Sequence, residues 1–194
     1  MKLFAPLVAL ALPTVAPAVC PTAEDLDTGI LFRTLDGDTE LFRRVSENVV
    51  LSTYTSGSEE SRILLGQGLY VLDNVGLAEG ELLPETQVRF SYPMPAAEMP
   101  RPTPEGDWAV DVTVEEGGGS EPEHQSYAFG PVTEIGLGKC TFDMIPVVQT
   151  YSPDPYEVTD YVNWLPELGV SYLVQSSHAH GDDRYIYTSV EAVR

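Results

Sequence analysis

The sequence has few basic residues. Ten lysines and arginines stand against 30 aspartates and glutamates, which gives a formal net charge of −20 at pH 7. A surface this acidic repels phosphate backbones and anionic lipid headgroups. Nucleic-acid binding is therefore excluded. We interpret the acidity as favouring solubility or tolerance of salt rather than a particular cationic partner.

Cysteine is also scarce, and only Cys20 and Cys140 occur. They do not form a Cys-x-x-Cys motif, which argues against a redox-active pair. In an exported chain two cysteines most simply form one disulfide. The alternative is a lipid attached to Cys20. Val19 fits that alternative poorly, because lipoprotein signals place a small residue before the cysteine.

Long hydrophobic runs are missing beyond the N-terminus. Residues 3–12 are apolar but too few to span a bilayer as a helix. Lys2 precedes this run, and Ala16-Pro17-Ala18 follows it with the small-x-small form of a cleavage site. We therefore predict a signal peptide over residues 1–18, no membrane span, and an exported protein that is periplasmic or secreted.

Helical periodicity is absent, and the dominant period is two. Trp108, Val110, Val112 and Val114 alternate with polar or small residues, as on a strand with one buried face. Glycine- and aspartate-rich turns separate about a dozen such runs, so the strands should pair as antiparallel hairpins. We predict an all-β fold whose antiparallel meanders form a half-barrel, a barrel or a sandwich in two halves.

Prolines interrupt this pattern in residues 93–107. A proline lacks the N–H that a central strand needs, so this segment should be an extended connection. It divides the predicted mature chain into an N-terminal β half, 19–92, and a C-terminal β half, 108–194.

Catalytic motifs are lacking as well. The sequence has no Gly-x-Ser-x-Gly, no His-Glu-x-x-His and no glycine-rich phosphate loop before a helix. It predicts no cofactor, and it leaves enzyme activity undecided while favouring its absence. A carboxylate pair assembled from distant strands stays open.

Residues 176–183, Ser-Ser-His-Ala-His-Gly-Asp-Asp, permit two interpretations. On a strand, His178 and His180 would share a face and could bind a metal ion with Asp182 or Asp183. Alternatively, His-Gly-Asp-Asp is the turn of a hairpin, because glycine accepts a positive φ and aspartate bonds its own backbone. We favour the hairpin, with residues 170–175 and 185–190 as its strands.

A second metal alternative lies near the N-terminus. Asp36, Asp38, Glu40 and Glu47 match four ligand positions of a calcium-binding loop. The position that requires glycine is Leu41, so we interpret this stretch as a solvated turn followed by a strand.

Residues 161–174 read as a strand, a Pro-x-x-Gly connection and a returning strand. This hairpin resembles the terminal hairpins of exported bacterial half-barrel proteins, including periplasmic lipoprotein carriers, and of exported β-rich proteins of unknown function. For a carrier, the resemblance implies a concave sheet face that holds acyl chains. No site residue is transferred from it.

These observations favour an exported, non-enzymatic binding or interaction module, whose partner is an unidentified protein or an apolar small molecule. The alternatives are a periplasmic carrier of a lipid or other apolar ligand, and a hydrolase that depends on a metal or on carboxylates. Aromatic pairs such as Tyr185 with Tyr187 would line a ligand cleft in a binding protein, but they more often form sheet core.

Overall fold

The computed structural model describes residues 19–153 and 157–194, so the predicted signal peptide 1–18 lies outside the described residues. The first eight strands in these ranges are β1 (Ile30–Thr34), β2 (Thr39–Ser46), β3 (Val49–Ser56), β4 (Glu59–Gly66), β5 (Tyr70–Ala78), β6 (Glu81–Leu82), β7 (Val88–Ser91) and β8 (Asp107–Glu116). The remainder are β9 (Gly119–Phe129), β10 (Thr133–Leu137), β11 (Cys140–Ser152), β12 (Thr159–Leu165), β13 (Val170–His178), β14 (Gly181–Arg184) and β15 (Tyr187–Ala192). Short 3₁₀ helices cover Ala23–Asp27, Pro84–Thr86 and Ala96–Glu98.

The strands form one antiparallel sheet. Its order is β14-β13-β12-β11-β9-β8-β7-β5-β4-β3-β2-β1-β15, with β10 beside β11 and β6 beside β5. The predicted all-β antiparallel meander is therefore confirmed, and the sheet is not closed into a barrel. Within the described ranges, no helix has the length and apolar character needed to cross a membrane.

The hairpin of β12 and β13, which we call the central hairpin, is buried on both faces. Val170, Ser171 and Tyr172 are consecutive and all buried, although neighbours on a strand point to opposite faces. Val170 packs in one hydrophobic core, whereas Trp164 on β12 packs in another. The sheet must therefore curl around this hairpin and cover it from two sides.

The first core joins the inner face of β1 to β4 to one face of the central hairpin, and it includes Ile30, Phe32, Phe42, Val50, Leu65, Leu165, Val170 and Tyr172. The second core joins the other face to strands β8, β9 and β11, and it includes Tyr70, Val110, Val112, Tyr127, Phe129, Val147, Val162 and Trp164.

The β4–β5 turn packs against the β12–β13 turn, which closes the central hairpin. Gly68 lies in the β4–β5 turn at φ 70°, and Gly169 lies in the β12–β13 turn at φ 69°. A Cβ added to Gly68 would fall on the carbonyl group of Gly169, well inside van der Waals contact. The Ser171 hydroxyl donates a 2.8 Å hydrogen bond to the Gly68 carbonyl oxygen. The close packing of these two turns therefore requires glycine at position 68.

The prediction that residues 185–190 form the second strand of the last hairpin is wrong. The partner of β13 is β14, whereas β15 pairs with β1 at the opposite end of the sheet. Burial of Tyr187 explains why β15 leaves β13 and pairs with β1. The Tyr187 ring packs against Phe32 and Tyr172, at centroid distances of 6.1 Å and 4.5 Å. Pairing with β1 places Tyr187 against the first core.

Only two residues connect β14 to β15. The Tyr185 N–H donates to the Val174 carbonyl oxygen at 3.0 Å, and the Ile186 carbonyl oxygen accepts from the Leu35 N–H at 2.7 Å. Tyr185 thus still bonds to one end of the sheet, while Ile186 already bonds to the other. This link holds the two ends of the open sheet side by side.

The predicted disulfide is present and joins Cys20 to Cys140, with Cα atoms 5.6 Å apart. It ties the segment before the first 3₁₀ helix to the start of β11. A lipid on Cys20 would need the same Sγ atom, which the disulfide occupies. The disulfide also agrees with an exported protein, since such bonds persist in oxidising compartments.

The proline-rich connection, residues 93–107, packs against the body of the protein. Met99 is buried in the second core, and the Tyr70 hydroxyl donates to the Pro100 carbonyl oxygen at 2.7 Å. Strands β7 and β8 flank the connection and pair with each other, for example at Phe90 and Val114. The sheet is therefore continuous across the predicted boundary between the halves.

Candidate functional site

The predicted metal candidates lie at the β13–β14 turn. Strand β13 ends at His178, opposite Gly181 at the start of β14, so the hairpin interpretation is confirmed for this turn. The His180 N–H donates to His178 Nδ1 at 3.2 Å, and His178 Nε2 lies 3.4 Å from Asp183 Oδ2. Asp182 pairs with Arg184 at 3.3 Å. These contacts all join residues of the β13–β14 hairpin to one another.

Within residues 19–153 and 157–194, no group of three or more His, Cys, Asp or Glu side chains could hold a metal ion. His124 lies on β9, where its Nδ1 is 2.7 Å from Asp111 Oδ1.

The stretch that resembles a calcium loop is a turn and a strand. Asp36 and Gly37 form the turn, whereas Glu40 lies on β2 and is buried. Asp38 accepts a 2.7 Å hydrogen bond from the Tyr54 hydroxyl. The expected solvated turn is present, but Glu40 points into the protein rather than into solvent.

Among the described residues, Glu40 is the only buried Asp or Glu. Its Oε1 accepts a hydrogen bond from the Ser52 hydroxyl at 2.5 Å, and its Oε2 accepts one from the Tyr187 hydroxyl at 2.6 Å. These bonds connect β2, β3 and β15, the strands at one end of the sheet. Both carboxyl oxygens therefore have partners within the protein, as a buried carboxyl group requires.

Burial raises the pKa of Glu40 from 4.5 to about 7, because the interior disfavours the charged form. The hydrogen bonds from Ser52 and Tyr187 act in the opposite direction, since they stabilise the carboxylate. Glu40 consequently changes its charge near neutral pH. Perturbed groups of this kind mark functional sites or structural networks, and here the geometry indicates a structural network.

Tyr54 stands next to this network at the boundary of the core. Its hydroxyl bonds to Asp38, and its ring meets that of Tyr185 edge-on at a centroid distance of 6.1 Å. Burial, followed by the contact with Asp38, raises the pKa of Tyr54 well above its usual range. Tyr54 is therefore a neutral side chain, held by these contacts and partly exposed to solvent.

A surface groove of about 550 Å³ begins at Tyr54, and we call it the Tyr54 groove. Small residues form its floor, because Tyr54 lies opposite Ser61 and Ser61 lies opposite Gly76 across three neighbouring strands. Leu83 stands at the far wall. The groove continues the inner face of the sheet beyond the part that the central hairpin covers.

The edge of the Tyr54 groove is acidic. Its lining includes Ser56, Ser58, Glu59, Glu60, Leu77, Ala78 and Glu79. Glu59 and Glu79 are exposed; Glu59 is the first residue of β4, and Glu79 lies in the β5–β6 turn. Glu79 has a φ of 54°, a left-handed conformation that non-glycine residues seldom adopt. The groove thus combines an aromatic wall, a floor of small residues and a carboxylate edge.

A second cleft of about 590 Å³ lies at the β8–β9 hairpin. Glu85, Glu115, Glu116 and Arg89 contribute to its lining. Arg89 already donates to Asp73 at 3.3 Å. This cleft is polar and lacks an aromatic wall, so it fits an organic ligand less well than the Tyr54 groove does.

The remaining tyrosine network is interior. The hydroxyls of Tyr92 and Tyr127 both donate to Gln125 Oε1, at 2.8 Å and 2.6 Å. Tyr151 donates to Asp160 at 2.7 Å. These bonds satisfy polar atoms at the edge of the second core, in agreement with the expectation that aromatic residues form sheet core.

Comparisons with known proteins gave two solved structures that superpose weakly on this chain. No protein-family model and no curated protein matches the sequence. The hypothetical lipoprotein YmcC from Escherichia coli K12 superposes with a TM-score of 0.45 at 9% identity over 85% of this chain and 87% of its own. A candidate lipoprotein from Parabacteroides distasonis gives a TM-score of 0.32 at 12% identity over 86% of this chain and 93% of its own.

We expected a resemblance to exported, lipoprotein-like β proteins of unknown function, and both neighbours are described as lipoproteins, one of them as hypothetical. At TM-scores below 0.5 and at 9% and 12% identity, these likenesses carry no argument about this chain. The description of the Tyr54 groove and of Glu40 therefore depends only on this chain.

Sequence reasoning missed both features. The sequence did carry one signal for Glu40. It lies two residues before Phe42 on β2, so both side chains are on the same, buried face of the strand. For the groove, Ser61 and Gly76 are small residues on inward-facing positions, but only the pairing of β4 with β5 makes them neighbours.

Proposed function

We propose that this chain is an exported, non-enzymatic binding module of the periplasm, and that it binds its ligand in the Tyr54 groove. The observation that carries this proposal is the groove itself, where Tyr54 forms an aromatic wall beside a floor of Ser61 and Gly76. Its volume of about 550 Å³ lies in the range of ligand-binding sites.

Export is supported by the disulfide between Cys20 and Cys140. Removal of the predicted signal peptide 1–18 would leave Cys20 close to the new N-terminus and free to pair. A periplasmic location rather than secretion stays part of the proposal.

A carrier of acyl chains is a weaker candidate. Such a carrier needs an empty concave face, whereas the central hairpin fills this one and buries Val170 and Tyr172 there. A hydrolase is weaker still. Glu40 has both carboxyl oxygens bonded inside the core, and His178 and Asp182 are engaged in their own turn.

The proposal is tested by two-dimensional ¹⁵N–¹H NMR spectra of the oxidised protein with three probes that share an aliphatic stem: hexanol, hexanoate and hexylamine. We expect at least one probe to shift the amide signals of Ser61, Gly76 and Ala78 in a saturable manner. Saturation distinguishes a site from general solvent effects.

The substitution Ser61→Trp fills the groove and should abolish these shifts. Ser91→Trp is the matched control, since Ser91 is an exposed serine on a different strand. If no probe causes saturable shifts at the groove, or if Ser61→Trp leaves them intact, the groove is not a binding site.

A further inference from the structure

The charges of the Tyr54 groove are of one sign. Three carboxylates, Glu59, Glu60 and Glu79, belong to its lining, and no lysine or arginine does. None of the three forms an ion pair with another described residue. The groove therefore presents negative charge that the described part of the protein does not neutralise.

The carboxylates lie beside apolar surface. Leu77, Ala78 and Leu83 line the groove together with the ring of Tyr54. An aromatic face attracts a cation that lies over it, and apolar walls favour an aliphatic stem. Lysine and arginine side chains combine these two properties.

The groove is also open along one side, and the hydroxyls of Ser56, Ser58 and Ser61 line it. Hydroxyl groups can donate to and accept from a peptide backbone. An open groove with such groups suits a side chain that arrives on an extended polypeptide.

We propose that the Tyr54 groove binds a lysine or arginine side chain of an extended segment of another exported polypeptide. The cationic group meets Glu59 and Glu79 at the edge, and the aliphatic stem lies on Tyr54 and Leu83. This inference rests on the proposed function and specifies its partner.

Isothermal titration calorimetry with the oxidised protein tests the inference. The probes are the pentapeptides acetyl-Ala-Leu-X-Leu-Ala-amide, in which X is lysine, norleucine or glutamate. Norleucine keeps the aliphatic stem and removes the charge. We expect the lysine peptide to bind about tenfold more tightly than the norleucine peptide, and the glutamate peptide not to bind.

Substitutions of the carboxylates test whether Glu59 and Glu79 bind the cationic group of the lysine peptide. The double substitution Glu59→Gln with Glu79→Gln should weaken binding of the lysine peptide about tenfold and leave the norleucine peptide unchanged. Both residues are exposed, so folding should not depend on them. The matched control is Glu115→Gln with Glu116→Gln in the second cleft, which should leave both affinities unchanged.

Equal binding of the lysine and norleucine peptides would refute recognition of the cation, although the groove would still be a binding site. An equal loss in the Glu115 and Glu116 control would also refute the inference, because it would indicate diffuse attraction to an acidic surface. If no peptide binds while a hexyl probe shifts the groove amides, the partner assignment is wrong and the proposed binding module stands.

Discussion

The replacement of Glu40 by glutamine should change how the stability of the protein depends on pH. Glu40 has a raised pKa of about 7 in the folded state, compared with 4.5 in the unfolded chain. Below pH 4.5 the Glu40 carboxyl group is protonated in both the folded and the unfolded state, so its raised pKa does not lower the free energy of unfolding. As the pH rises towards 7, the unfolded chain ionises first, and the folded state loses stability relative to it.

The size of this loss follows from the shift. A difference of one pKa unit corresponds to about 1.4 kcal/mol, so a shift from 4.5 to about 7 corresponds to roughly 3 kcal/mol once both states are ionised. Between pH 5 and pH 8, about 2 to 3 kcal/mol of stability should disappear. Glutamine does not ionise, so the Glu40→Gln variant should gain that amount relative to the natural protein over the same interval.

The assay is urea-induced unfolding of the oxidised protein at several pH values, followed by the fluorescence of Trp108 and Trp164. The quantity of interest is the difference in unfolding free energy between Glu40→Gln and the natural protein, because contributions of other ionisable groups cancel in it. Ser120→Ala at an exposed position is the control, and because neither side chain ionises it should give a difference that is constant with pH. A constant difference for Glu40→Gln as well would refute the argument.

Three further predictions concern the Tyr187 hydrogen bond to Glu40, the contact between two turns at Gly68, and the disulfide. Tyr187→Phe removes a hydrogen bond that stabilises the Glu40 carboxylate, so the pH-dependent loss of stability should extend to higher pH, and stability should fall by about 1 to 3 kcal/mol in thermal or urea unfolding. Gly68→Ala should lower the free energy of unfolding by more than about 3 kcal/mol, because the added Cβ meets the Gly169 backbone. Gly57→Ala is the control, since Gly57 has open space around it at φ 58°, and it should lower the free energy of unfolding by only about 1 kcal/mol. Similar losses for the two variants in urea unfolding would contradict the contact between the turns. Replacement of Cys20 and Cys140 by serine should lower the free energy of unfolding by about 4 to 5 kcal/mol in the chain-entropy model for a separation of 120 residues, and a loss below about 1 kcal/mol would show that the N-terminal segment needs no covalent anchor.

Local patterns were sufficient for the strands and for their antiparallel pairing. Alternation from Trp108 to Val114 predicted β8, and turn chemistry at Gly181 predicted the β13–β14 turn, although the prediction of residues 185–190 as its second strand was wrong. Neither signal reports which distant strands become neighbours. The pairing of β1 with β15 was missed because it depends on the fit of Tyr187 against Phe32, a contact between residues far apart in the sequence.

The candidate site was less predictable than the fold. Charge counting treats Glu40 as one of thirty acids, and only its position among Phe32, Phe42 and Tyr187 distinguishes it from an exposed carboxylate. The Tyr54 groove results from small residues on adjacent strands and from where the central hairpin stops. The spacing of Glu40 and Phe42 indicated the buried face of β2, but the hydrogen-bond partners of Glu40 and the groove depend on tertiary packing, which sequence periodicity does not encode.

The pairing of β1 with β15 also constrains when the protein can fold. Among the described strands, β15 comes last in the sequence, yet it completes the first core and supplies the Tyr187 hydroxyl to Glu40. The ribosome must therefore synthesise residue 192 before the sheet can be completed, and pairing over such a distance is slow. Until residue 192 has been synthesised, Phe32 therefore lacks its contact with Tyr187, and Glu40 lacks one of its two hydrogen-bond donors.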